Sequence, residues 1–201
     1  MRKRLFYFLF FASLVVGFFL VMSWAIPGFT KPSIPPIGTL QPFTFTTQDG
    51  RPFTEQDMQG KVAAVHYFFT TCSGICPRMN NNMRNVYDEL KEEKDFLLLS
   101  HTCDPEVDSV ARLKRYADSM QVNTAQWIFL TGPKDSLYSM ARHVYKIDDP
   151  ANHVTTTASD FLHTQFVALV NRQGSIVKIY DALKPSELKD LVADVKKAVK
   201  Q

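Results

Sequence analysis

Val62-Ala-Ala-Val-His66-Tyr-Phe-Phe69, then Thr70-Thr71, then Cys72-Ser-Gly-Ile-Cys76-Pro77, is the stretch on which this chain turns. The first eight residues form a nearly continuous apolar run of strand length, as expected of a central strand covered on both faces. The residues after Pro77 change period. Met79, Met83, Val86, Tyr87 and Leu90 recur at helical spacing. Pro77 suits a first helical turn, where its missing N–H does no harm. Cys72 and Cys76 therefore stand where a buried strand hands over to a helix. The start of a helix lowers the pKa of a nearby thiol, and the thiolate is the form that binds metals or attacks disulfides.

The elements downstream alternate. Phe96–Ser100 reads as a second short strand. Asp108 or Ser109 can cap a helix carrying Val110, Leu113, Tyr116, Ala117 and Met120 on one face. Trp127–Leu130 is a third strand, and Lys134–Tyr145 is a helix by the spacing of Leu137, Met140, Ala141 and Val144. Lys146–Leu162 is long, polar and aperiodic, the kind of loop that is often functional. Phe166–Val170 and Ile176–Tyr180 flank a hairpin turn at Asn171–Gly174, and Pro185 and Ser186 open a last helix. Upstream, Phe43–Thr47 and Pro52–Thr54 flank Asp49-Gly50 as a small hairpin. Strands alternating with helices and closed by a hairpin and helix predict an α/β sandwich of thioredoxin-like order, with the cysteine pair between the first central strand and its helix.

Ahead of this domain, Arg2, Lys3 and Arg4 are followed by Leu5–Ile26, which carries no charge. As a helix that run spans roughly 33 Å, against about 30 Å of hydrocarbon. It is longer than the apolar core of a cleaved signal peptide, and bulky Trp24 and Ile26 stand where small residues would favour cleavage. Residues 1–26 are read as a transmembrane anchor, 27–36 as a proline-rich linker and 37–201 as the folded domain. The basic N-terminus keeps to the cytoplasm, so a single-pass inner-membrane protein with its domain on the periplasmic side is expected. Setting aside Arg2, Lys3 and Arg4 leaves 20 of the 23 basic residues against 20 acidic ones. With no long basic run, nucleic-acid binding has no support. Three cysteines are too few, and odd in number, for a disulfide scaffold.

The thiols are four residues apart, not three as in a CxxC redox pair. At that spacing they share a helix face. They could converge on a soft metal, such as Cu(I) or Zn, or join as a disulfide. A metal would want a third ligand. His66 alternates within the buried strand and reads as a core histidine. His143 falls on a solvated helix face, His153 in the long loop, and His101 at the end of the second strand, within reach of the site edge. His163 is the best placed. It enters the strand Gln165–Val170 at the junction that faces the cysteine pair in thioredoxin-like folds, where thiol–disulfide enzymes carry a cis-proline. Here the residues are Leu162-His163-Thr164.

Cys72-Ser-Gly-Ile-Cys76-Pro77, Asp104-Pro105-Glu106 after the second strand, and His163 before the hairpin together resemble the Sco/SenC family. These are membrane-anchored copper proteins needed to assemble cytochrome c oxidase. The resemblance covers about residues 37–199 together with the anchor. It implies that Cys72, Cys76 and His163 bind one copper, Cu(I) or Cu(II), for delivery to the copper A site of oxidase subunit II. Another copper chaperone or a thiol–disulfide partner would serve the same site. Leu162 stands where many members have an acidic residue, with Asp160 two residues earlier, and Cys103 stands where an aliphatic residue is usual. Cys103 reads either as a small buried hydrophobe or as an auxiliary thiol at the mouth of the site. The alternative function is a thiol–disulfide reductase that keeps the copper-site cysteines of the oxidase subunit reduced. A peroxiredoxin-like enzyme is disfavoured, because Phe69 and Ser73 occupy the places where a threonine would precede the reactive cysteine by three. A redox sensor is compatible with the sequence.

Overall fold

A computed structural model describes residues 2–25, 35–148, 162 and 164–200. The chain divides into two compact units, Met1–Pro35 and Pro36–Gln201. The first holds helix α1, Arg2–Ala25, which is long and apolar enough to cross a membrane. Residues 27–34 of the expected linker lie outside the described residues.

The second unit is built on one eight-stranded sheet. Its strands are β1 (Gly38–Thr39), β2 (Thr44–Thr47), β3 (Pro52–Thr54), β4 (Val62–Phe68), β5 (Phe96–Thr102), β6 (Trp127–Thr131), β7 (Phe166–Val170) and β8 (Ser175–Asp181), in spatial order β1-β8-β7-β4-β5-β6-β2-β3. β4, β5 and β6 run parallel, and β7 pairs antiparallel with β4. The carboxyl ends of β4 and β5 and the amino end of β7 therefore share one edge of the sheet. That edge receives the cysteine turn, the Asp104–Asp108 turn and the entry to β7.

Every residue of β4, β5 and β6 is buried, as expected of strands covered on both faces. Alternation along β4 sends Val62, Ala64 and Phe68 to one core, with α2 (Cys76–Leu90), α3 (Val110–Met120) and α5 (Pro185–Ala198) packed on it. Ala63, Val65 and Tyr67 face the other core, under α4 (Lys134–Ser139). The expected helix over Lys134–Tyr145 is not uniform. It is α-helical to Ser139 and then widens into a π turn, Met140–Val144. The short edge strand β1 closes the far side. Gly38 is required there, because a Cβ at this position would come within 2.5 Å of the Val144 carbonyl.

Candidate functional site

The cysteine turn starts where β4 ends. Cys72 N–H reaches back to the Phe69 carbonyl at 3.3 Å, and α2 begins at Cys76 with Pro77 in its first turn. Cys72 is partly exposed, Cys76 is buried, and no disulfide joins them. The two sulfurs share a hydrogen bond and are unequal. For Cys72, burial pushes the pKa up. Hydrogen bonds from the Cys76 thiol and from the N–H groups of Cys76, Gly74 and Ile75 outweigh it, holding Cys72 below an ordinary thiol. For Cys76, burial and the neighbouring Cys72 sulfur push the pKa up to about 12, against the pull of the Phe69 and Cys76 N–H groups. The arrangement is one accessible sulfur, favoured toward thiolate, with a protonated thiol behind it at the start of a helix.

Cys103 belongs to the opposite core, 3% exposed, among the residues packed under α4. One peptide unit stands between it and Cys76. The Phe69 N–H donates to the Cys76 sulfur, while the Phe68 carbonyl accepts the Cys103 N–H at 2.8 Å. Burial raises the Cys103 pKa well above its ordinary value. Its surroundings are those of a buried hydrophobe, so the auxiliary-thiol alternative is not supported.

The histidines sort by face. His66 is fully buried on the α2 side, its Nε2 2.6 Å from Ser100 Oγ, which in turn accepts the Trp127 indole N–H at 2.8 Å. His143 is exposed. His101 does not approach the site edge, contrary to the sequence expectation. The β4–β5 register sets it beside Tyr67, fully buried, stacked on the Tyr67 ring at 5.0 Å with Phe45 edge-on at 5.3 Å. His153 and His163 lie outside the described residues, as does Asp160.

The residues on either side of His163 are described. Leu162 is 1% exposed and packs in the same core as Cys103. The Thr164 hydroxyl donates to the Ile147 carbonyl and accepts the Phe166 N–H at 3.2 Å, just before β7 begins. Chain that leaves the sheet edge at Ile147 is thus tied to chain that returns at Thr164. A buried ion pair, Arg142 Nε to Asp148 Oδ2 at 2.8 Å, braces the departing side, with the Arg142 guanidinium over the Tyr138 ring. Two buried tyrosines clamp α4 to the same edge. Tyr67 donates to the Leu137 carbonyl at 2.7 Å, and Tyr138 to the Cys103 carbonyl at 2.8 Å.

Asp104-Pro105-Glu106 stands out in the sequence, whereas Asp108 reads there as no more than a helix cap. Ser109 takes the cap of α3, its side chain accepting from the Arg112 N–H. Asp108, the other capping candidate, is fully buried and bonds instead to Thr70 and Thr102. The available signal was that two capping residues stood side by side at one helix start, so one of them was spare. Among the described residues no three His, Cys, Asp or Glu side chains gather into a metal-holding group. The donor chemistry at the turn nevertheless fits a soft metal, since two thiols, one of them favoured as thiolate, converge at an accessible edge.

The SCO1/SenC family model matches residues 33–200. The chain belongs to the SCO1/SenC family. Among its SCO1/SenC relatives, a "SCO1 protein homolog" of Bacillus subtilis is 30% identical over 163 residues, covering 79% of this chain and 82% of the relative. Among solved structures, BsSco, "a member of the Sco family of cytochrome c oxidase assembly proteins" with an identified disulfide switch, superposes with a TM-score of 0.69. It is 29% identical, with 83% of this chain and 96% of that chain covered. Copper-bound ScoI of Arabidopsis thaliana superposes with a TM-score of 0.62 at 26% identity, covering 80% of this chain and 98% of that one. The family match thus runs through nearly all of the second unit.

Proposed function

We propose that this SCO1/SenC protein is a membrane-anchored copper chaperone that holds one copper ion as cargo through Cys72, Cys76 and His163 and serves assembly of the copper A site on subunit II of cytochrome c oxidase. The observation that carries the reading is the unequal thiol pair at the end of β4, with its partly exposed, low-pKa Cys72. Thiolate and imidazole are suited to copper, and thiols must lose their protons to bind it. Copper-bound Sco structures among the chain's relatives support the choice of metal. His163 is the residue before Thr164, whose hydroxyl is tied to the Ile147 carbonyl.

The chain's own residues divide the work. Cys72 is the sulfur that an incoming donor or acceptor thiol can reach, and Cys76 is shielded beneath it. Exchange of ligands with a partner therefore begins and ends at Cys72. α1, long and apolar enough to span a bilayer, would anchor the domain to the inner membrane on the periplasmic side, where the oxidase acceptor stands. Residues 27–36 would serve as a spacer.

A second reading is favoured by the same inequality. A thiolate backed by a buried thiol is suited to disulfide reduction. Cys72 would attack a partner disulfide, forming a mixed disulfide and releasing one partner thiol. Cys76, on losing its proton, would attack the Cys72 sulfur and release the second, leaving Cys72–Cys76 oxidised. The chaperone and reductase readings separate at His163. In the source organism, deletion of the gene should remove the near-infrared copper A absorption of the oxidase, and the wild-type gene should restore it. His163→Ala should fail to restore it if the protein carries copper. Restoration by His163→Ala, with failure by Cys72→Ala, would favour the reductase.

A further inference from the structure

Asp108 lies at the centre of a hydrogen-bonded knot beneath the cysteine turn. Its Oδ2 accepts both the Thr70 N–H at 3.1 Å and the Thr102 hydroxyl at 2.7 Å, and its Oδ1 accepts the Thr70 hydroxyl. Arg112 Nε donates to the Thr70 hydroxyl oxygen at 2.6 Å and stands 3.7 Å from the carboxylate. Thr70 is two residues before Cys72. The carboxylate therefore joins the chain leaving β4 to the chain leaving β5.

Neither neighbouring element needs this carboxylate for its own formation. The first turn of α3 closes on the Ser109 carbonyl, which accepts the Arg112 and Leu113 N–H groups at 2.9 Å each, and β5 is paired on both sides by β4 and β6. The cysteine turn is different, because its own backbone tie, Cys72 to Phe69, is long at 3.3 Å. A loop that must present a sulfur to three N–H groups loses that geometry when its start swings free. We propose that Asp108 is a positioning residue for the thiol pair, fixing the Thr70–Cys72 segment so that the reduced Cys72 sulfur is held at the start of α2. The inference rests on the reading of Cys72 and Cys76 as the working pair. It predicts that the knot favours the dithiol over the disulfide. In the disulfide a covalent bond holds Cys72, and the knot adds less.

The test uses the full-length, metal-free protein in detergent, equilibrated with reduced and oxidised glutathione at fixed pH. Each Cys72–Cys76 disulfide formed gives up two electrons and two protons, converting one oxidised glutathione into two reduced ones. The oxidised fraction is read by alkylation and mass. Asp108→Asn and Thr70→Val should each shift the equilibrium toward disulfide by about tenfold, close to 30 mV. Thr70→Ser, which keeps the hydroxyl, should restore the wild-type value. Ser100→Ala removes a buried hydrogen bond from the same strand β5 and serves as the stability control. It should lower the melting temperature and leave the equilibrium where it was. An unchanged equilibrium in Thr70→Val, or an equal shift in Ser100→Ala, would overturn the inference. Thr70→Val decides alone if Asp108→Asn does not fold. Copper binding by the wild type, measured alongside, keeps the two readings apart. Shifts without copper binding would sink the chaperone and leave the knot, and copper binding without shifts would do the reverse.

Discussion

The Cys76 thiol donates its hydrogen to the Cys72 sulfur, and the two groups titrate on opposite sides of an ordinary thiol. At neutral pH an electrophile should therefore find one reactive cysteine. Iodoacetamide should label Cys72 with an apparent pKa below that of a free thiol, while Cys76 stays unlabelled until the fold opens. Peptide mapping after a short pulse reads this directly, and equal labelling of both sulfurs would contradict it.

The same asymmetry has a consequence for stability. Cys76 is held protonated up to about 12 in the fold, against an ordinary value of 9.0. A raised folded pKa gives stability that is present below the unfolded value and lost as pH rises through the folded one. Reduced protein should lose stability between about pH 9 and 12. Cys76→Ala should lessen that loss in thermal melts across the range, the buried Cys103 thiol contributing the same sign.

Acid should act through two other buried groups. Burial pushes His66 down to about 4 and His101 down to about 3, from 6.5. Both are neutral in the fold and take up protons on unfolding, so stability present above pH 6.5 is lost as pH falls toward 4 and 3. His101→Phe keeps a ring in the Tyr67–Phe45 stack and removes one titration. Its melting temperature should fall less steeply between pH 7 and pH 4 than that of the wild type.

The Arg142–Asp148 pair is 5% and 4% exposed. Removing one partner leaves a buried charge, which costs about 3–5 kcal/mol, whereas replacing both with apolar residues costs much less. Arg142→Met should therefore destabilise more than the double variant Arg142→Met/Asp148→Leu in denaturant titrations. Because the pair braces the chain that leads toward His163, Asp148→Asn should also weaken copper binding.

Cys103→Ala should cost about 1 kcal/mol by opening a small cavity. It should leave the copper content and the glutathione equilibrium of the Cys72–Cys76 pair unchanged. A change in either would restore the auxiliary-thiol reading that the intervening Phe68–Phe69 peptide argues against.

Much of this arrangement was legible in the order of residues. The apolar run Val62–Phe69 pointed to a buried strand, and its first seven residues form the buried β4 with the cysteines just beyond its end. The hairpins carried their turn residues, and α2 its helical period. Three features escaped for physical reasons. β1 is two residues long, too short for any period, and is held by pairing with β8. The π turn adds one residue to a helix without disturbing its apolar spacing, so Lys134–Tyr145 read as one helix. The face on which His101 falls depends on the parallel register with β4, which sequence spacing alone does not set. Asp108 escaped for a related reason. Its partners are Thr70, in the turn after β4, and Thr102, at the end of β5, and these come together only in the folded sheet.

The proposed copper site consists of Cys72, Cys76 and His163. It is tested most directly by copper content. Full-length protein, reduced without oxygen, loaded with copper and desalted, should retain one copper per chain. Cys72→Ala should retain none, and His163→Ala should lose the metal to a competing chelator that leaves the wild type loaded. Retention of one copper by Cys72→Ala, or identical chelator resistance in His163→Ala, would contradict the account.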